Sequence, residues 1–299
     1  MTFKINYNYM KRKDFLFGSM AAIVSSLIPW GKTSASSNMA SNKIELDQEV
    51  GFNHIPKLKN NKEMKTVYHK ADTRGNANHG WLNSNHTFSF ANYYDPSRMN
   101  FGVLRVLNDD VITGGSGFGT HPHKNMEIIS IPLTGSIAHK DSMGNSSEIK
   151  SGEIQVMSAG TGVQHSEFNA SKDDKANFLQ IWVIPNQKEV SPRYDQQIID
   201  PVKSNNELLQ ILSPNAEDDG VWINQEAYFS YGSFSSSANK KYELKNTKNG
   251  VYVFVIEGSV SINNQSLNKR DGLGIWDADS FDIKIEAESK ILLMEVPMS

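Results

Sequence analysis

Beyond residue 65 the chain alternates short apolar runs with clusters of Gly, Asn, Asp and Pro, and this alternation restricts its fold more than any other feature. Short apolar runs bounded by turn residues are typical of the strands of a β-sandwich or β-barrel. Helical periodicity is weak, and one short helical turn is expected at residues 207–212. The pattern predicts strands at 102–107, 126–133, 154–157, 178–184, 228–234, 251–256 and 291–296.

A faint internal repeat predicts two copies of one β-barrel unit. Residues 128–135 (IISIPLTG) are similar to residues 252–258 (YVFVIEG), and each segment leads through a polar turn to a second glycine, Gly152 or Gly272. Fourteen residues before Gly135 lies His121, whereas the same step back from Gly258 reaches Leu244. Since no histidine follows His165, the second copy is expected to pack against the first and close its pocket without binding a metal. The predicted domains are residues 65–195 and 196–299, with the boundary inside 192–201.

Composition excludes several classes of function. The chain of 299 residues has no cysteine, which rules out disulfides, thiol catalysis and a cysteine-based structural zinc site. The formal net charge is −3, and the first 36 residues carry a net +4, so the remainder is acidic, with a net −7. An acidic body is a poor electrostatic match for nucleic acid or for an anionic membrane surface.

The first 36 residues are predicted to be an export signal. Three basic residues, Lys11, Arg12 and Lys13, precede an apolar run at 15–30 and a small-residue stretch at 33–36. This order is typical of a signal peptide, and the apolar run is too short to span a membrane comfortably. The sequence around Arg12 also resembles a twin-arginine signal in which lysine replaces the second arginine. Residues 37–64 are polar and suit a tether, so we expect a periplasmic protein without stable membrane insertion after cleavage; an uncleaved leader and a cytoplasmic location are the alternatives.

Two pairs of residues with i, i+2 spacing indicate a metal site. His121 and His123 form one pair, and His165 and Glu167 form the other. Residues i and i+2 of a strand point to the same face, so two neighbouring strands can direct four such side chains at one point. Three imidazoles and a carboxylate suit a mid-row divalent ion. Glu127, four residues after His123, competes for the place of the carboxylate if the strand is unbroken.

These pairs lie within stretches that resemble known motifs. The run 115–135 (GSGFGTHPHKNMEIISIPLTG) resembles the first cupin motif, and the run 152–169 (GEIQVMSAGTGVQHSEFN) resembles the second. More specifically, the chain resembles the pirin family of bicupins, whose fold is all-β with two tandem cupin barrels of the jelly-roll type. The matching stretches are ADTRG (71–75), HGWLNSNHTFSF (79–90), YYDPSRMNFGVLRVLNDD (93–110), HPHKNMEI (121–128), AHKDSMGN (138–145) and SAGTGVQHSEFN (158–169).

The resemblance implies a ligand set, a metal and an activity. The implied ligands are His121, His123, His165 and Glu167, and they leave two adjacent positions free on an octahedral ion. The implied metal is Fe(II), and Cu, Ni, Co or Mn can also occupy such sites. Some pirins show quercetin 2,3-dioxygenase activity, so the implied substrates are a small aromatic compound, such as a flavonol or a related enol or catechol, and O2. Glu167 or Glu127 would accept the substrate's hydroxyl proton as general base.

Two alternatives remain open at the level of sequence. Glu127 is either the carboxylate ligand or a nearby residue that orients an imidazole. The protein is either an enzyme or, as the resemblance to pirins also implies, a metal-binding or redox-responsive interaction protein with a protein partner that the sequence does not identify. The remaining histidines, including His86 and His139, are expected to be structural.

Overall fold

The computed structural model describes residues 63–299, and this part of the chain is built from strands. The predicted export signal and almost all of the predicted tether lie outside the described residues and stay predictions. No helix within residues 63–299 is long and apolar enough to span a membrane. One 3-10 helix, Ala71–Thr73, accompanies the strands β1 (Lys65–His69), β2 (Gly75–Asn78), β3 (Leu82–His86), β4 (Leu104–Ile112), β5 (Gly117–His123), β6 (Glu127–Thr134), β7 (Ser136–Asp141), β8 (Ser146–Lys150), β9 (Glu153–Ser158), β10 (Val163–Asn169), β11 (Ala176–Val183), β12 (Arg193–Ile198), β13 (Leu209–Ser213), β14 (Val221–Trp222), β15 (Tyr228–Phe234), β16 (Ala238–Glu243), β17 (Asn249–Glu257), β18 (Ser259–Ile262), β19 (Gln265–Asn268), β20 (Gly272–Trp276), β21 (Ser280–Ile285) and β22 (Ser289–Pro297).

The strands form four sheets arranged as two similar halves. The first half has a seven-stranded sheet of order β12-β9-β6-β11-β4-β3-β2 and a four-stranded sheet of order β5-β10-β7-β8. The second half has a seven-stranded sheet of order β1-β20-β17-β22-β15-β13-β14 and a four-stranded sheet of order β16-β21-β18-β19. Apart from the outermost strands of the seven-stranded sheets, the two orders correspond, which confirms the predicted all-β bicupin fold. Corresponding turns in the two halves also share a conformation. Gly135 follows β6 with φ of 71°, and Gly258 follows β17 with φ of 75°, and this left-handed conformation favours glycine.

Alternation along the central strands divides their side chains between two hydrophobic cores. Ile129 and Ile131 of β6 face a large cluster that also contains Phe229 and Phe254 of the second half. Ile128 of β6 points the other way, into a small cluster inside the first barrel. The large cluster therefore joins the two halves, while the barrel interior of the first half keeps room for polar side chains. The interior of the second half is filled by apolar residues of β17, β20, β21 and β22, in agreement with a packing role.

The two halves exchange strands at their edges. Strand β1 pairs with β20 and completes the seven-stranded sheet of the second half. Strand β12 pairs with β9 and completes the sheet of the first half. Strand β1 thus lies within the predicted domain 65–195 but belongs to the sheet of the second half, and β12 runs across the predicted boundary at 195. The division into 65–195 and 196–299 stays a prediction about the sequence repeat. The edge strand β1 adjoins the first half in sequence but completes the second half's sheet, and β12 adjoins the second half in sequence but completes the first half's sheet. The two barrels are therefore expected to fold as a pair.

The predicted elements agree with the structure except at one place. The seven predicted strands coincide with or overlap β4, β6, β9, β11, β15, β17 and β22, and residues 228–234 match β15 at both ends. The helical turn predicted at residues 207–212 is wrong, because β13 (Leu209–Ser213) occupies most of that stretch. Pairing of β13 with β15 and β14 supplies backbone hydrogen bonds that a short isolated helix would have to find internally.

Candidate metal centre

Two neighbouring strands of the four-stranded sheet of the first half carry the candidate ligands. His121 and His123 lie on β5, His165 and Glu167 on β10, and β10 is the central strand. In the register, His165 is directly opposite His121, and a bulge between His165 and Glu167 shifts the pairing with β5. The i, i+2 spacing thus brings both pairs to the barrel interior, as predicted from the sequence.

The three imidazoles converge on one point. One nitrogen from each of His121, His123 and His165 lies within 4.8 Å of the other two. The ring centroids of His121 and His165 are 4.4 Å apart, and those of His123 and His165 are 4.9 Å apart. His165 is buried, whereas His121 and His123 are partly exposed. This arrangement gives three nitrogen ligands around one position that can be reached from outside.

Protonation and hydrogen bonding suit these imidazoles to hold a cation. Burial, reinforced by repulsion from the neighbouring imidazoles, lowers the pKa of His123 and of His165 to about 3, so both rings are neutral at pH 7. The Nδ1 of His121 lies 2.8 Å from the carbonyl oxygen of Gly119, which fits a donated hydrogen bond and leaves Nε2 with a free lone pair. Both ring nitrogens of His165 and Nε2 of His123 are buried without a hydrogen-bond partner among residues 63–299. Unpartnered buried nitrogens are costly in isolation but fit a divalent metal ion.

Glu167 extends this cluster on the side of His165. A carboxylate oxygen of Glu167 lies within 4.8 Å of one nitrogen of His165 and one of His139. Gln180 Nε2 donates to both carboxylate oxygens at 3.1 and 3.0 Å, and Ser130 Oγ donates to Oε1 at 3.2 Å. Gln180 and Ser130 come from β11 and β6 of the opposing sheet, so the carboxylate is oriented from across the barrel. Sequence patterns did not point to these two orienting residues, because they lie on different strands with ordinary polar side chains.

The structure does not bring Glu127 to this cluster. The strand is broken after His123, and Asn125 at φ 51° turns the chain before β6 begins, so the i+4 relation between His123 and Glu127 no longer holds. Within β6, Glu127 lies on the same face as Ile129, opposite to the face of Ser130. Its buried carboxylate accepts hydrogen bonds from Ser158 Oγ at 2.6 Å and Asn224 Nδ2 at 3.0 Å. Glu127 therefore links the two halves, and burial raises the pKa of its carboxyl.

A fifth side chain, His139, joins the centre although the sequence was interpreted as giving it a structural role. His139 on β7 is opposite Glu167 in the register, and its ring centroid is 5.3 Å from that of His165. Its Nε2 lies 3.2 Å from Asp141 Oδ2, and both side chains are completely buried. Burial acts to raise the pKa of Asp141, but hydrogen bonds from Asn145, His139 and Met143 hold it below the usual value. The i, i+2 spacing of His139 and Asp141 was the available signal, since it repeats the spacing of both ligand pairs.

The other histidines lie away from the cluster. His86 is buried and packs edge-on against Phe90, with its ring centroid 5.3 Å from that of the phenyl group. His69 is also buried, and its Nδ1 is 2.8 Å from the hydroxyl of Tyr252. Burial lowers the pKa of both imidazoles to about 4, so both are neutral at pH 7. Neither belongs to a group of potential metal ligands within the described residues.

A cavity of about 470 Å³ opens onto His123. It is lined by Pro122, His123, Lys124, Ser142, Gly162, Val163 and Gln164. The indole of Trp182 lies behind His123, with ring centroids 5.0 Å apart and an angle of 84° between the planes. A second concavity, of about 530 Å³ and lined by residues such as Lys203 and Lys245, contains none of the candidate ligands. Of these two cavities, the one at His123 is therefore the one that gives access to the candidate ligands.

Comparison with known proteins agrees with this geometry. The Pirin family model matches residues 67–183, and the model of the quercetinase C-terminal cupin domain matches residues 210–296. The chain is 43% identical to the quercetin 2,3-dioxygenase of Escherichia coli strain K12, over 76% of this chain and 97% of that protein. It is 38% identical to a putative quercetin 2,3-dioxygenase of Pseudomonas aeruginosa, over 75% of this chain and 97% of that one.

Solved structures extend the similarity to the fold. The crystal structure of YhhW from Escherichia coli superimposes with a TM-score of 0.75 at 42% identity, covering 79% of this chain and 99% of that one. A structure of the same bacterial pirin in complex with nickel(II) gives a TM-score of 0.74 at 41% identity, covering 79% of this chain and all of that one. The chain belongs to the pirin family, because it is 43% identical to a relative along nearly that protein's whole length and because family models match both of its halves.

Proposed function

We propose that this pirin is a metal-dependent dioxygenase that opens flavonols such as quercetin, or related enols and catechols, with O2. The observation that carries the proposal is the convergence of His121, His123 and His165, with buried unpartnered nitrogens, beside the oriented carboxylate of Glu167. The names of the related quercetin 2,3-dioxygenases support the substrate class, and the nickel(II) complex of YhhW supports a divalent metal. We propose Fe(II) as the native ion, with Ni, Co, Cu or Mn as possible substitutes.

In this proposal His121, His123, His165 and Glu167 hold the metal. When bound, the metal supplies Lewis acidity and redox chemistry for the reaction between a chelating enol and dioxygen. Neutral imidazoles need lose no proton to bind a cation, which favours binding at pH 7. Gln180 and Ser130 hold the Glu167 carboxylate in place, so that one of its oxygens can accept the proton of the substrate's hydroxyl group.

The cavity at His123 is proposed as the substrate pocket. Its volume of about 470 Å³ lies within the range of small-molecule sites, about 300–1,000 Å³. Trp182, Met126 and Met143 pack against a small apolar cluster of the barrel interior, and one member of that cluster, Val163, also lines the cavity. Lys124 and Gln164 at the mouth offer polar contacts to the hydroxyl groups of a phenolic ligand.

Oxygen uptake tests the proposal. The protein is stripped of metal, reconstituted with Fe(II) or Ni(II), and mixed with quercetin in an oxygen electrode. We expect oxygen consumption that disappears in His123→Ala and persists in His79→Ala, since His79 is exposed and outside the cluster. Tight metal binding without turnover on quercetin or on a panel of enols and catechols would refute the dioxygenase and support the alternative of a metal-binding interaction protein.

A further inference from the structure

We propose that His139 is a positioning residue that accepts a hydrogen bond from the imidazole N–H of His165 when His165 ligates the metal. The inference rests on the proposed metal site and adds a residue that neither the sequence patterns nor the family similarity assigned. Three features of the structure support it: the hydrogen bonds of Asp141, the unpartnered nitrogens of both imidazoles, and the register of β7 against β10.

Asp141 sets the tautomer of His139. Its Oδ1 accepts hydrogen bonds from the backbone N–H groups of Met143 and Asn145, at 2.9 and 3.0 Å, and its Oδ2 accepts one from Asn145 Nδ2 at 2.8 Å. A carboxylate held by so many donors is ionised, so Nε2 of His139, 3.2 Å from Oδ2, carries the hydrogen of that contact. In the tautomer with one hydrogen, on Nε2, Nδ1 of His139 has a lone pair and accepts.

The nitrogens of His139 and His165 are complementary. Nδ1 of His139 is buried without a partner in the described part of the chain, and so are both nitrogens of His165. A ligating imidazole uses one nitrogen for the metal, and its other nitrogen carries a hydrogen that needs an acceptor in a buried place. For His121 that acceptor is the carbonyl of Gly119. For His165 the unpartnered acceptor on a neighbouring ring is Nδ1 of His139; the two imidazoles share no hydrogen bond in this structure, so the proposed bond would form when His165 binds the metal.

Strand register places the two rings side by side. Asp141 is opposite His165, and His139 is opposite Glu167, so the pair on β7 lies beside the pair on β10 and His139 is the diagonal neighbour of His165. The centroids of His139 and His165 are 5.3 Å apart, and Tyr194 packs against His139 with a centroid distance of 4.9 Å. Glu167 is the competing acceptor, but its oxygens already accept from Ser130 and Gln180. In the metal-bound protein, a series of hydrogen bonds would therefore link Asp141 to His139 and His139 to His165.

Cobalt binding to the whole protein tests the inference apart from catalysis. We expect His139→Phe, which keeps an aromatic ring beside Tyr194 but removes the acceptor, to weaken Co(II) affinity by about 10–100-fold. His139→Asn, whose amide oxygen can stand where Nδ1 was, should recover much of that loss. His69→Phe is the matched control, because His69, like His139, is buried and has one nitrogen in a hydrogen bond, here with Tyr252, but lies outside the cluster. The Co(II) affinity of His69→Phe should equal that of the wild type. His139→Ala carries the same expectation if the phenyl ring prevents folding.

Proton NMR of the Co(II) protein gives a second readout that a merely structural role would not change. The wild type should show a paramagnetically shifted, slowly exchanging N–H signal from His165, and His139→Phe should lose it to fast exchange. Equal affinity and an unchanged signal in folded His139→Phe would overturn the inference while leaving the proposed function intact. Co(II) binding that responds to His139 without any oxygen uptake would overturn only the proposed function. A wild-type protein that binds no Co(II) would overturn both.

Discussion

Replacing Glu127 by alanine separates the two carboxylates that compete in the sequence. The structure places Glu127 between the halves, where Ser158 and Asn224 donate to it, and places Glu167 beside the imidazoles. Glu127→Ala should therefore lower stability and leave metal binding intact. Glu167→Ala is the matched variant and should do the opposite, weakening metal binding at a smaller cost in stability.

The size of the effect follows from the contacts of Glu127. Two hydrogen bonds to a charged group are lost, each worth about 1.5–3 kcal/mol. Part of this loss is offset, because the alanine variant no longer has to bury a carboxylate, and burial of that group is unfavourable, as its raised pKa indicates. A net loss of about 2–4 kcal/mol is expected, which lowers Tm by roughly 5–10 °C for a protein of this size.

Two measurements on the metal-free protein decide the matter. Thermal unfolding followed by circular dichroism gives the change in Tm, and calorimetric titration with Ni(II) gives the affinity. We expect the Ni(II) affinity of Glu127→Ala to stay within about threefold of the wild type and that of Glu167→Ala to fall at least about tenfold. Loss of Ni(II) binding in a folded Glu127→Ala protein, with binding retained in Glu167→Ala, would show that the assignment of the carboxylates drawn from the structure is reversed.

Three further predictions concern other parts of the molecule. Burial, together with the nearby carboxylates of Asp109 and Glu167, raises the pKa of Asp110 to about 7. Because this pKa is higher in the folded than in the unfolded protein, the protonated carboxyl stabilises the fold at pH values below the unfolded pKa, and this stabilisation is lost as pH rises toward 7. Asp110→Asn should therefore gain about 2–3 kcal/mol relative to the wild type between pH 5 and pH 8, measured by urea unfolding of the metal-free protein, and a constant difference would contradict this. Gln180→Leu should weaken Ni(II) affinity by about 10-fold or more because it frees the Glu167 carboxylate, and an unchanged affinity would show that Gln180 does not orient it. The predicted export signal should be removed near residue 36, so N-terminal sequencing of periplasmic material should begin there, whereas an intact Met1 would contradict cleavage.

The strands and the histidine pairs could be predicted from the sequence because both depend on local rules. Alternating side chains along a strand determine that His121 and His123 share a face, whatever lies next to that strand. The apolar runs between turn residues likewise predicted the β-rich fold, and the repeat around Gly135 and Gly258 predicted its duplication. The helical turn at 207–212 failed because pairing with distant strands, which the local sequence does not record, decided the conformation of β13.

The sequence by itself thus determined which types of ligand this pirin offers and that they come in pairs on strands. Only the tertiary structure shows which carboxylate lies beside the imidazoles, since the chain turns at Asn125 and Glu127 lies on the other face of β6, and which residues contact Glu167 and His165. The supporting contacts of Ser130, Gln180 and His139 come from strand register and from the packing of one sheet on another. Spacing along a chain fixes the direction of neighbouring side chains, whereas contacts between strands depend on how distant segments pair.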